Sequence, residues 1–147
     1  MFEFYRYKDG GQGDLISEKR LAAVSGYAMY KGAALKVSGG ALVYAQTADT
    51  IYAISNVSAA SSVVTASYYP EVYPVNSNQV WKASHTSAAT AAFVAGAKGN
   101  IAGANDLGTS VIANVAAGTA FYLFNVATAS TPSTSAAYVI FPDVANV

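Results

Sequence analysis

The chain has a single imidazole, His85, which sits in "KASHTS" among hydroxyl side chains, the residue types that supply a serine nucleophile and its general base. A hydrolytic triad also needs a third group to orient the imidazole and an oxyanion hole, and the Gly-x-Ser-x-Gly elbow does not occur here. Serine is abundant throughout the chain, so its nearness to His85 is uninformative, and His85 is read as a surface or hydrogen-bonded histidine. The carboxylates Glu3, Asp9, Asp14, Glu18, Asp49, Glu71, Asp106 and Asp143 are scattered. No spacing sets two of them across a cleft for acid–base work. Lys98 lies among glycines in "AGAKGNIAGANDLG", but neither Gly-Lys-Ser/Thr nor Gly-x-Gly-x-x-Gly is present, so a turn-rich connection is preferred to a phosphate loop. Without cysteine, and with one histidine and no Asp-rich loop, the chain offers no metal site by type or spacing. No catalytic, cofactor-binding or metal-ligating residue is assigned.

The remaining candidates are aromatic. In "SYYPEVYPVNSNQVWK", Tyr68, Tyr69, Tyr73 and Trp81 stand close together, flanked by Pro70 and Pro74. Such side chains stack on sugars or bases, or anchor a protein interface. Only Lys82 lies nearby to meet phosphates, which disfavours nucleic acid. The prolines set the segment at a sheet edge or in a long loop, where its tyrosines either pack on their own body or form an interface.

Hydrophobic residues make up 53% of the chain and charged ones 11%, against about 25% charged in an average soluble domain, so the surface must be largely neutral. Eight basic residues balance eight acidic ones, leaving no long-range field to gather nucleic acid, anionic lipid or acidic substrate. A length of 147 residues suits one domain, or two packed lobes sharing a core, and needs no disulfide. The charges at Glu3, Arg6, Lys8 and Asp9 interrupt what a secretory signal would need, so the start is read as mature. "VIANVAAGTAFYLFNVA", residues 111–127, is uncharged and nears the about 17–25 residues of a membrane span. Asn114, Asn125 and the Gly118-Thr119 break favour two buried strands joined by a short turn instead.

These side chains need elements to position them. Residues 1–8 alternate aromatic and charged types, with Phe2, Phe4 and Arg6 on one face of an extended strand and Glu3, Tyr5 and Tyr7 on the other. "DGGQGD" follows, three glycines in six residues, and predicts a hinge that frees residues 1–13 as an arm from a body at 14–147. "DLISEKRLAAVSG" suits a short helix capped by Asp14 and ended by Gly26. From Tyr27 onward short runs of valine, isoleucine, tyrosine and threonine alternate with turn residues. Strands are expected near 26–30, 33–37, 41–45, 50–54, 61–67, 79–84, 109–115, 119–125 and 136–141. The Ala-rich stretch 86–99 predicts a short helix or a loosely paired strand. The expected class is all-β, mainly an antiparallel β-sandwich or small β-barrel, tulip-like or jelly-roll-like, with an extended N-terminal arm and at most one or two short helices. After Lys98 there is no basic residue, so the last third is covered either by the domain's own other sheet or by a neighbouring subunit.

The arm, followed by "GAALKVSGGALVYAQTADTIYAIS" and "GNIAGANDLGTSVIANVAAGTAFYLFNVA", resembles the head decoration, or cement, proteins of tailed bacteriophages over most of residues 26–127. The tail "TASTPSTSAAYVIFPDVANV" extends beyond the compact members of that group. The resemblance implies a non-enzymatic β-rich subunit, a trimer or dimer, on the outer surface of the expanded capsid. Its partners would be the major capsid protein and copies of itself, with neither nucleic acid nor membrane. It further implies that the arm extends a sheet of the capsid protein, with Phe2, Phe4, Tyr5, Arg6 and Tyr7 as the binding residues. A carbohydrate-binding or adhesive module on a virion, using Tyr68, Tyr69, Tyr73 and Trp81, and a tail or fibre subunit are the alternatives.

Overall fold

Small-residue turns and short β-branched runs assemble into two antiparallel sheets. The computed structural model describes residues 2–11, 13–46, 49–84, 96, 98–102, 111–114, 120–126 and 136–143. The strands are β1 (Phe2–Tyr7), β2 (Ala34–Ser38), β3 (Ala41–Tyr44), β4 (Ala53–Ser55), β5 (Val72–Pro74), β6 (Gln79–Ser84), β7 (Lys98–Ala102), β8 (Val111–Asn114), β9 (Phe121–Val126) and β10 (Ala136–Ile140). One sheet has four strands in the order β3-β2-β4-β5, the other six in the order β1-β6-β10-β9-β7-β8. The larger sheet curls, bringing β8 near β6. The expected all-β class holds, and no helix occurs among the described residues.

The small sheet is apolar on both faces because it is a middle layer. Ala34 and Ile54 turn toward the large sheet and join Phe2, Trp81, Phe121, Leu123, Val139 and Phe141 in the main core. Their neighbours Leu35 and Ala53 point the other way, as the period of two requires, and meet Ala23, Met29, Leu42, Val64 and Val72 in a second core. That second core is roofed by irregular chain from residues 13–31 and 56–71, which is tied down by paired backbone hydrogen bonds at Glu18–Val72 and Met29–Ala59. β2 and β3 form a hairpin closed at Ser38 and Ala41 by Gly39 and Gly40, whose φ values of 57° and 81° are those of a tight turn that suits the twist of the strands.

Several expectations are corrected. β1 is not a hinged arm: it pairs along β6, and Phe2 is 2% exposed, its ring 5.3 Å from that of Phe141. Residues 7–11 make a turn rather than a free joint, with the Tyr7 N–H donating to Gly11 and the Gly10 N–H to Tyr7. Phe2 and Phe4 bury more apolar surface in their own core than a detached strand could leave exposed at low cost. The segment at 14–25 is irregular rather than helical, because Glu18, Ala23 and Val24 pair with Val72, Tyr68 and Leu42 and these long-range bonds override a weak helical pattern. The segments expected as strands at 26–30 and 61–67 are a single bridge at Met29 and a turn in which Val63 is exposed and Val64 buried. β8 and β9 do not pair directly, since β7 lies between them. The stretch 86–99 lies outside the described residues except for Gly96 and the start of β7.

Candidate functional site

The aromatic segment at 67–82 is divided among four environments. Trp81, 1% exposed, fills the main core, its ring 5.7 Å from Phe4 and its Nε1–H donating to Gln79 Oε1 at 3.3 Å. Tyr73 is half-buried against the main core and Tyr68 against the second core. Tyr69 alone is exposed, at 52%. The four side chains do not share one face: Tyr73 and Trp81 line a cavity of about 320 Å³ together with Phe2 and Phe4, while Tyr68 and Tyr69 lie apart from it.

The polar groups are mostly spent on holding chain to chain. Tyr52 donates its hydroxyl to Glu18 and fastens the roof to the small sheet; burial first, and this carboxylate second, push the phenol up to about 12. Glu71 accepts from Asn56 Nδ2 at 2.8 Å, and that bond, with one from Ser17, holds its carboxyl below the usual range. Burial pushes Asp49 upward, but Lys36 Nζ at 2.8 Å and the Gln46 N–H outweigh it and leave the carboxyl lowered. Asp143 accepts from Ser77 N–H at 2.6 Å and Ser77 Oγ at 2.8 Å, which depresses its pKa and pins the end of β10 to the turn before β6. Among the described residues no group of three His, Cys, Asp or Glu could hold a metal ion, and no helix is long and apolar enough to cross a membrane. His85 and Asp106 lie outside the described residues.

The outer roof is where apolar surface remains open. Ile16 (87% exposed), Tyr27 (58%), Val63 (55%) and Tyr69 all belong to it, four of the six large hydrophobic side chains left exposed among the described residues. Hydrogen bonds bring three of these segments together: Gly26 N–H donates to Val64 and Ala23 N–H to Tyr68, so Tyr27 adjoins Val63, and the chain after Leu21 adjoins Tyr69, while Ile16 precedes Glu18, which pairs with Val72. Beside Tyr27 a cavity of about 350 Å³ is lined by Val24, Met29, Leu42 and Tyr44 with Lys36 and Gln46 at polar positions. A surface of this kind fits a protein contact better than open solvent. Sequence reasoning missed Ile16, Tyr27 and Val63, since an apolar residue in a segment taken for helix or strand is assigned to the core; only the structure shows the roof to be irregular.

The residues expected to bind as an arm divide by face. Phe2 and Phe4 turn inward, while Tyr5, 44% exposed, packs 4.5 Å from Tyr138 on the opposite face. The Arg6 guanidinium lies over Tyr5 and Phe124 at 5.6 and 5.5 Å. Tyr7 packs its ring 5.1 Å from Phe4 and donates its hydroxyl to Asp14. No known protein family, curated protein or solved structure matches the chain.

Proposed function

We propose that the protein is a structural, non-enzymatic subunit of a virion that binds the outer surface of the expanded capsid of a tailed phage and cements neighbouring capsomers. Its partners in this reading are the major capsid protein and copies of itself. The observation that carries the proposal is the roof over the small sheet: an irregular but heavily hydrogen-bonded layer with Ile16, Tyr27, Val63 and Tyr69 turned outward. Both faces of the small sheet are filled, so the body is stiff where it presents this layer. Stiffness limits the entropy lost on binding, and many copies convert modest contacts into firm attachment because each later contact is intramolecular. The resemblance of "GAALKVSGGALVYAQTADTIYAIS" to cement proteins supplies the particle on which such a layer would act. The attachment surface thus moves from the N-terminal strand, now a core element, to the roof.

The proposal is tested by adding purified protein to expanded capsids that lack it and counting bound copies. Ile16→Asp with Tyr69→Asp leaves the core untouched and is expected to abolish decoration with an unchanged circular dichroism spectrum. Full occupancy by this double variant would contradict the roof as the attachment surface.

A further inference from the structure

On the face of the large sheet away from the main core, Arg6 has no anionic partner. The ion pair between Lys36 and Asp49 does not involve it, and the Arg6 Nε–H is buried without an acceptor. Two backbone irregularities build the setting. β1 shifts register against β6 between Phe4 and Arg6, at Tyr5, and β10 shifts against β9 between Tyr138 and Val139, skipping Phe124. A bulge re-aims the side chain it carries and is favoured next to functional sites. Here both re-aimed rings meet the same guanidinium, at 5.6 and 5.5 Å. Lys82, exposed on the neighbouring strand, faces Tyr138 and Glu3 in the ladder.

We propose that this stack is a recognition site for a carboxylate carried by a partner protein, a surface glutamate or aspartate. Rings near a guanidinium hold its plane, while the in-plane N–H groups remain the directions in which it binds, and a planar fork of donors matches a carboxylate. The local charges, Arg6 and Lys82 against Glu3, suit one anion rather than a phosphodiester strand, which needs a series of cations along its track. The assignment deepens the capsid reading by naming the chemistry of the partner.

The chain has two arginines, Arg6 and Arg20, and Arg20 is already partnered, so the arginine Nε–H region of a ¹⁵N-correlated spectrum contains a probe and an internal control. Comparison with Arg6→Lys assigns the two resonances, and Arg20→Lys does so independently if the first variant fails to fold. The full chain is titrated at constant ionic strength with a blocked pentapeptide of alanines around one glutamate, with its glutamine counterpart, and with inorganic phosphate. The Arg6 resonance is expected to shift saturably with the glutamate peptide, about tenfold more tightly than with glutamine, as loss of one charged hydrogen-bonded contact implies. Equal response to both peptides, no response, or tighter saturation by phosphate would each overturn the assignment. Peptide binding without capsid decoration removes the capsid reading alone, and decoration without peptide binding removes this site alone.

Discussion

Asp143 shows how a single exposed carboxylate closes the molecule. Its two oxygens accept from the Ser77 N–H and hydroxyl, joining the chain after β10 to the turn that starts β6. Those bonds lower its pKa in the folded state, so at acid pH the unfolded chain takes up this proton first. Its contribution is therefore complete above the unfolded value of about 3.9 and is lost as pH falls through the lower folded value. Asp49 and Glu71 are depressed in the same direction and steepen the same loss. Asp143→Asn is expected to lower the melting temperature at pH 7, with the difference from the parent shrinking as the pH falls below about 3.9, measured by thermal melts across that range; a penalty independent of pH would contradict the clamp. At this scale the sequence was least informative. Trp81 and Tyr69 are both aromatic residues of one segment, yet one fills the core and the other stands in solvent, because the neighbours that decide it, Phe4 and Phe141 for Trp81, are distant in sequence. Arg6 is legible as a charge, but Phe124 comes beside it only through the pairing of β1, β6, β10 and β9.

Among the elements, β1 changes most in meaning between sequence and fold. Its alternation of aromatic and charged residues identifies a strand, and the structure has one there, but alternation does not say which sheet it joins. Because Phe2 is buried against Phe141 and Phe4 against Trp81, Phe2→Ala is expected to destabilise the protein by about 3–5 kcal/mol. Deletion of residues 2–8 should abolish cooperative unfolding. Denaturant titration followed by Trp81 fluorescence checks both, and a truncated chain as stable as the parent would restore the detached arm. The strands best read from sequence, β2, β3, β6 and β10, have apolar alternation and flanking turn residues, with Gly39-Gly40 marking the hairpin most plainly. β5 is short, with Pro74 in it, and the segment at 14–25 takes its form from bonds to Val72, Tyr68 and Leu42. Such long-range pairing leaves no local period to find.

At the scale of the whole molecule, low charge, two filled faces on the small sheet and an outward apolar roof are the features on which the proposed contact role rests. The sequence gives the low charge directly, whereas the roof emerges only when residues 13–31 and 56–71 are brought together over the second core. The most direct measurement of the proposed reading is a cryo-EM map of expanded phage heads to which this protein has been added. Expected is density for the two-sheet body on the outside of the expanded head, between capsomers, with Ile16, Tyr27, Val63 and Tyr69 against the shell. Absence of that density, or density with that layer facing solvent, would contradict it.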